Sequence, residues 1–465
     1  MFKLLTFTVT LFFCIPLYAL EKTFNPQIAI SELPHGSDVA LMIADLESGH
    51  TIFSQGAKQL RPPASVQKLV TALAAKLYFK NGYQFQTTLE THQDDIIMHF
   101  TGDPTLSRGD IKLLLDKLKT SKNTIEGNFY LNGAAFDDYE RAIGLPWDIL
   151  GVCYSAPSSG ISLDGNCVSG KLFLPASASN NTSVLLPADA PVRAQSKAVA
   201  LPASATNNHC ELKLSANENN QYSVGGCVAK NKLPMPLNFA VQNTTIYTAR
   251  IIHEELQQAD IKLTGNIIRN DDVTGTVIAS HLSQPLSQLI EIMVRDSDNL
   301  IADNLTKTLG HLYFNQPGSF ENGVAAIKDI LKNEAGIDLS TAMMADGSGL
   351  SRNNRLTASQ IMQVVAYIFR HQELGLVQAM PISGENGTLF YRSSIRSLPL
   401  KGTIIAKSGS LYGTYNLAGM LKARSGKSLL FVQLVSNYHT EHDEIIDHPI
   451  MQFERTLYRS LFNNF

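Results

Sequence analysis

The chain has 465 residues, 44% of them apolar and 17% charged, with 31 Gly and 19 Pro. That length predicts roughly two to four domains around a large buried core, and the composition is that of an ordinary globular protein, which excludes disorder, collagen and coiled coil. A formal charge of −3 offers no basic field to hold a nucleic acid or an anionic membrane, so no nucleic-acid partner is expected.

In chain order, the first 19 residues read as an export signal. Met-Phe-Lys precedes an apolar run, Leu4 to Leu17, and Leu17-Tyr18-Ala19 is a small-residue cleavage site. The alternative is a retained anchor, and the run is short for the roughly 20 apolar residues a span needs. Cleavage after Ala19 would leave a periplasmic chain with no transmembrane anchor. Cys14 would leave with the signal, and Cys153, Cys167, Cys210 and Cys227 remain. An even number of cysteines in an oxidising compartment, at spacings of 14 and 17 residues, suggests bridges 153–167 and 210–227. A zinc site would need closer pairs such as Cys-x-x-Cys, which are absent.

Val39 to Leu46 reads as a buried strand, and Gly49 to Phe53 begins a second, hairpin-paired one. From Ser65 to Phe79, Val66, Leu69, Val70, Leu73, Ala74 and Leu77 recur at helical spacing behind Pro62-Pro63, predicting a buried helix. Residues 168–232 are rich in Ala, Ser, Asn and Pro without helical period, and read as a small all-β module stapled by Cys210–Cys227. Helical texture resumes at Thr245 to Ala259 and at Pro285 to Leu309, where Leu289, Ile292, Met293 and Asp296 share a face. An antiparallel meander is expected over Thr403–Lys407, Tyr415–Lys422 and Ser428–Ser436. A helix from Ile450 to Phe462 follows, with Glu454, Arg455 and Arg459 on its polar face, and it reads as a cover for the sheet rather than a membrane-surface helix.

Three short motifs carry chemistry. In Ser65-Val66-Gln67-Lys68 a serine and a lysine at i and i+3 of a helix share a face, and a lysine held neutral by burial or a second cation can take the serine proton. Alone, the motif is equally a capped surface helix. Ser297-Asp298-Asn299 offers a hydroxyl and an amide between two helices, but Ser-x-Asn recurs at Ser121, Ser179, Ser215 and Ser351. Lys407-Ser408-Gly409-Ser410 ends an apolar strand, where a lysine is usually a solvated edge residue and a glycine lets a ligand backbone approach. His439, His442, Asp443 and His448 look like metal ligands, but they lie in a polar loop and no metal is expected.

The three motifs in this order are far more specific than any one of them. The sequence resembles class C low-molecular-mass penicillin-binding proteins, the penicillin-binding protein 4 type of D-Ala-D-Ala carboxypeptidase/endopeptidase. Further matching stretches are Thr101-Gly102-Asp103-Pro104-Thr105-Leu106, Pro146-Trp147, Cys153-Tyr154-Ser155-Ala156-Pro157, Asn299-Leu300-Ile301-Ala302-Asp303 and Asp346-Gly347-Ser348-Gly349-Leu350-Ser351-Arg352. The long interval between Ser65 and Ser297 also fits, because the family inserts two domains there.

The resemblance implies an α+β protein. A serine β-lactamase/transpeptidase-like catalytic domain, 20–85 plus 273–465, would be an antiparallel sheet flanked by helices. It would carry an inserted α/β domain, 86–167 plus 233–272, and an inserted all-β domain, 168–232. Ser65 would be the acylated nucleophile and Lys68 its base. Ser297 would relay the proton to the leaving amine, and Asn299 would bind the acyl-side peptide. Lys407 with Ser408 would bind the terminal carboxylate and keep Lys68 neutral, beside Gly409. The N–H groups of Ser65 and Ser410 would form the oxyanion hole, and Arg352 would line the cleft. No cofactor or metal is implied, and the partners would be peptidoglycan stem peptides and β-lactams. Ser408 stands where Thr is usual and Tyr412 where Gln is common. Ile149 takes the place of an acid expected to hold the stem peptide's diamino-acid amine, leaving Asp148 as the candidate. A β-lactamase and a non-catalytic wall-binding protein are the alternative readings.

Overall fold

The computed structural model describes residues 24–79, 82–177, 179–206, 210–440 and 448–465. The expected signal 1–19, with Cys14 and the cleavage point after Ala19, lies outside the described residues, as do His442 and Asp443. Among the described residues no helix is long and apolar enough to cross a membrane.

Strands β1 (Asp38–Asp45) and β2 (Thr51–Gln55) form the expected antiparallel hairpin. A 3₁₀ turn over Ala64–Gln67 then leads into α1 (Lys68–Phe79), so the helix expected from Ser65 opens with one tighter turn. After the inserted region come α2 (Leu286–Arg295), α3 (Asn299–Phe314), α4 (Phe320–Ala335) and α5 (Ala358–Arg370). The meander follows as β3 (Ile404–Leu411), β4 (Thr414–Lys422) and β5 (Ser428–Ser436), and the chain closes with α6 (Pro449–Asn464).

These strands form one antiparallel sheet in the order β3-β4-β5-β1-β2, which puts β3 on an edge. Strand periodicity divides β5 between two cores. Leu430, Val432 and Leu434 pack with α1 to α5, while Leu429, Phe431 and Val435 pack with α6 on the other face. The sheet is therefore buried on both sides, and the seven residues Leu429–Val435 of β5 read as an apolar run broken only by Gln433.

Two expectations about helix faces are corrected. In α2 the buried stripe is Leu286, Leu289, Ile290, Met293 and Val294. Ile292 is half-buried and Asp296 exposed, because the helix stops at Arg295 and Asp296 serves as its cap. In α6, Glu454 is buried rather than on the polar face. It accepts hydrogen bonds from Arg392 Nε (2.9 Å), Ser394 Oγ (2.6 Å) and Gln433 Nε2 (2.9 Å). A buried carboxylate is tolerated only when paired in this way.

The inserted region carries a second five-stranded sheet in the order Ile267–Arg269, Phe129–Asn132, Asp95–His99, Gln86–His92, Thr276–Leu282. It is mixed in direction, and helices Arg108–Lys119 and Thr244–Gln258 accompany it. Strand Thr276–Leu282 thus pairs with this sheet and not with the catalytic one. Among its described residues the stretch 168–232 holds strands and two short 3₁₀ turns but no α-helix, and its strand Cys167–Phe173 pairs with Met235–Ala240, so pairing crosses position 232. One apolar cluster is continuous through both inserted parts, joining Leu89 and Phe129 with Leu172, Tyr222 and Phe239. Both bridges are formed as expected, Cys153–Cys167 and Cys210–Cys227.

Candidate active site

A cleft of about 700 Å³ opens where β3, the turn before α1, the α2–α3 junction and the inserted region meet, and Ser65, Tyr154, Ser297, Asn299, Arg352 and Ser410 line it. The backbone delivering Ser65 is held from several sides. Pro63 caps the 3₁₀ turn and Ala64, fully buried, adopts a left-handed φ of 47°. Asn416 on β4 donates through Nδ2 to the carbonyls of Pro62 and Pro63, both at 2.9 Å. Gly409 on β3 packs directly beneath: a Cβ there would lie 2.9 Å from the backbone nitrogens of Ser65 and Val66 and 3.0 Å from Pro63 O. Only a glycine lets the edge strand come this close to the nucleophile's own N–H.

Lys68 is fully buried, one turn below Ser65. Its Nζ makes three contacts: Asn299 Oδ1 at 2.5 Å, Ser348 O at 2.8 Å and Ser65 Oγ at 2.9 Å. Two of these partners are carbonyl oxygens, which only accept, so they use two N–H bonds of the lysine. The third is a hydroxyl, which accepts from an ammonium and donates to an amine. The same geometry therefore serves both protonation states, and a proton can pass from Ser65 to Lys68 without rearrangement. Burial pulls the Lys68 pKa down to about 8, against the attraction of Asp303, Asp346 and Asp298.

Ser297 sits at the junction of α2 and α3 with φ 66°, and Asp298 caps α3 by accepting from Ile301 N at 2.8 Å. Lys407 on β3 is fully buried and donates to Ser297 Oγ and to Ser408 O, each at 2.9 Å. Burial pushes its pKa well below the ordinary lysine value, with repulsion from Lys68 and Arg392 adding to the effect. This refines the expectation that Lys407 keeps Lys68 neutral. Lys68 is lowered by its own burial against the attraction of Asp303, Asp346 and Asp298, whereas Lys407 is lowered by burial together with the neighbouring cations, against Asp296.

The remaining expected residues fall around this centre. Asn299 is committed at both ends of its amide, accepting from Lys68 and donating through Nδ2 to Tyr154 O at 2.6 Å, which leaves one N–H for a ligand. Ser410 is exposed on the cleft wall, and Ser408 Oγ bonds Thr388 Oγ1 at 2.7 Å. Arg352 donates to Tyr412 O at 3.2 Å; burial lowers its pKa while Asp148 and Tyr154 oppose the shift. Asp148 is exposed and Ile149 half-buried, and both line the cleft. The Cys153–Cys167 bridge flanks Tyr154, whose carbonyl holds Asn299.

Sequence reasoning assigned no role to four residues that shape this site. Asp303 Oδ1 accepts from Gly347 N (3.1 Å) and Ser348 N (2.9 Å). Asp346 accepts from Gly349 N (2.8 Å), Ser351 N (2.7 Å) and Asn354 Nδ2 (2.8 Å). The two carboxylates thereby fix the loop 346–351 so that the Ser348 carbonyl points at Lys68. Ser348, whose carbonyl meets Lys68, is the third, and Thr388, whose hydroxyl meets Ser408, is the fourth; nothing in the local sequence of Thr388 marks it. His439 and His448 are not brought into a metal-binding group; among the described residues no cluster of three or more His, Cys, Asp or Glu could hold a metal ion.

Comparison with known proteins identifies the family and the fold. Residues 26–457 match the D-Ala-D-Ala carboxypeptidase 3 (S13) family. The chain is 34% identical to the D-alanyl-D-alanine carboxypeptidase DacB of Haemophilus influenzae, over 98% of this chain and 97% of that protein. It superposes on the crystal structure of penicillin binding protein 4 (dacB) from Haemophilus influenzae with a TM-score of 0.88, covering 94% of this chain and 99% of the other at 34% identity. The same protein complexed with a β-lactam matches with a TM-score of 0.83 at 32% identity, covering the same shares of the two chains.

Proposed function

Because the chain belongs to the D-Ala-D-Ala carboxypeptidase 3 (S13) family, we propose that it is a serine-type D-Ala-D-Ala carboxypeptidase that acts on peptidoglycan stem peptides in the periplasm and is acylated by β-lactams. The observation that carries this reading is the contact of a fully buried lysine with a serine hydroxyl at 2.9 Å, at a pKa near 8.

In the reaction, Ser65 Oγ attacks the carbonyl carbon of the penultimate D-alanine while its proton passes to Lys68 Nζ. The N–H groups of Ser65 and Ser410 hold the oxyanion, and loss of one such donor typically costs about 10²–10³ in rate. Ser297, hydrogen-bonded to Lys407, relays that proton from Lys68 to the leaving nitrogen as the C–N bond breaks, which leaves an ester on Ser65 and restores Lys68 to its neutral form. Water then attacks the ester as Lys68 takes its proton, and Lys68 returns a proton to Ser65 Oγ as the C–O bond breaks and the acid leaves. Lys407 and Ser408 hold the carboxylate of the departing D-alanine. A cross-linked strand presents a carboxylate beside its scissile amide as well, so the same groups support endopeptidase cleavage. A β-lactam forms the same ester, but its leaving nitrogen stays tethered, which makes the ester long-lived.

The test is labelling with a fluorescent penicillin followed by peptide mapping. The label is expected on Ser65, and Ser65→Ala should lose both labelling and release of D-alanine. A variant that keeps its label would refute the assignment.

A further inference from the structure

A second groove, of about 740 Å³, continues from the catalytic cleft around the tip of the β3–β4 hairpin. Arg352 and Tyr412 line both spaces, so the two form one trough. Three arginines, Arg61, Arg352 and Arg355, line the groove against a single carboxylate, Asp38. That carboxylate is taken: Asp38 pairs with Arg61 at 3.3 Å and accepts from Asn437 Nδ2 at 2.7 Å.

Arg355 is different. Its Nη1 is held by two backbone carbonyls, Arg352 O at 2.6 Å and Asn354 O at 2.7 Å, so the half-buried guanidinium is fixed in place. Among the described residues no carboxylate pairs with this guanidinium, and beyond Nη1 none of the guanidinium N–H groups donates a hydrogen bond. Arg352 spends one N–H on Tyr412 O and likewise has no carboxylate at salt-bridge distance among the described residues. Immobilised guanidinium groups with free edges are suited to bidentate binding of a carboxylate, at little further loss of side-chain entropy.

The direction of the trough says which carboxylate. On the proposed reading, on which this inference rests, the leaving carboxylate sits at Ser408 and the scissile carbonyl between Ser65 and Ser410. A substrate lying along the edge strand advances roughly 3.3 Å per residue. The residue before the acylating D-alanine then lies by Tyr412 and Asp148, and the next one back reaches the groove. In a stem peptide with a diamino acid at its third position, that next residue is a glutamate joined through its side chain, whose own α-carboxylate hangs free. We propose that Arg355, together with Arg352, binds the free carboxylate of the stem-peptide residue two before the acylating D-alanine. The groove thereby makes the enzyme selective for acidic over amidated stem peptides.

The experiment compares three substrates: a pentapeptide with the free α-carboxylate, the same peptide with that group as an amide, and a short diacyl-lysyl-D-Ala-D-Ala that ends before it. The wild type is expected to favour the acid over the amide by about tenfold in kcat/KM, carried mainly by KM, as fits one lost charge-assisted pair. Arg355→Gln should abolish that preference while turnover of the short substrate and penicillin labelling stay as in the wild type, and Arg355→Lys should restore it only in part. Equal use of acid and amide by the wild type would overturn the proposal, as would an Arg355→Gln variant slowed equally on all three. Failure to turn over any of the three would instead overturn the carboxypeptidase reading, and this inference with it.

Discussion

The contact of Gly409 with the nucleophile turn can be probed cleanly by mutagenesis, because its backbone is free of left-handed strain. In Gly409→Ala the new methyl would lie 2.9 Å from Ser65 N and from Val66 N, against an ordinary separation of about 3.5 Å. The strand and the turn must part by roughly half an ångström. Neither side yields freely, because β3 is paired along its length to β4, and Asn416 clamps the carbonyls of Pro62 and Pro63. A displacement near 1 Å costs about 10² in rate, and here the moved group is also an oxyanion donor. The second-order rate of acylation by a fluorescent penicillin should therefore fall by about 10- to 10²-fold. Gly426→Ala serves as the control: it lies in the β4–β5 turn at φ 94° with nothing within 4 Å of the added Cβ, so it carries backbone strain of about 1–2 kcal/mol without touching the site. Gly426→Ala should lower thermal stability and leave acylation unchanged. If Gly409→Ala acylates within about threefold of the wild type, the edge strand does not set the position of Ser65 and the reasoning fails.

Asp148→Asn should raise KM for peptides bearing a free diamino-acid amine and spare simple acyl-D-Ala-D-Ala substrates, measured as D-alanine release; equal effects on both would place the amine-binding charge elsewhere. Loops of 14 and 17 residues closed by the two bridges should each contribute about 3 kcal/mol in the chain-entropy model, read as a fall in Tm when either cysteine pair is changed to alanine. Only loss of Cys153–Cys167 should also slow penicillin labelling, because that bridge flanks the Tyr154 carbonyl holding Asn299, whereas Cys210–Cys227 serves stability alone. Equal labelling by the two variants would break the link between the inserted region and the site.

What the sequence makes legible here is what local periodicity and motif order encode. The strands of the catalytic sheet and α1 follow from apolar runs and helical spacing. Ser65 and Lys68 meet because i and i+3 share a helix face, which the initial 3₁₀ turn does not disturb. Less legible are features created by contacts between distant segments. Glu454 reads as solvent-facing because the sequence does not reveal Arg392, Ser394 and Gln433 around it. The burial of α2 is misjudged by one position because the helix stop at Arg295 precedes the expected one. The limits of the inserted region are blurred because strand partners such as Thr276–Leu282 and Gln86–His92 are far apart in the chain. Asp303 and Asp346 lie within recognisable motifs, yet their work is done on backbone N–H groups of the 346–351 loop, and no pattern of residue types announces a hydrogen bond to a backbone.

The charges around the two buried lysines lead to a last prediction, about pH. A fall of the Lys68 pKa from 10.5 to about 8 raises its neutral fraction at pH 7 from about 0.03% to about 9%, a gain of roughly 300-fold in competent base. The sign follows: kcat/KM should rise about tenfold per pH unit below 8 and level off above, since the free enzyme's base must be unprotonated. Burial and the repulsion of Lys68 and Arg392 push Lys407 well below its usual value, against the attraction of Asp296. A substrate carboxylate bound beside Lys407 favours its charged form, and a charged Lys407 favours the neutral form of Lys68. The acid limb of kcat, which reports the complex, should therefore lie at lower pH than the limb of kcat/KM. A substrate whose terminal carboxylate is replaced by an amide should show no such gap. Coincident limbs with the carboxylate substrate would mean that Lys407 anchors the leaving group and has no part in setting the state of the base.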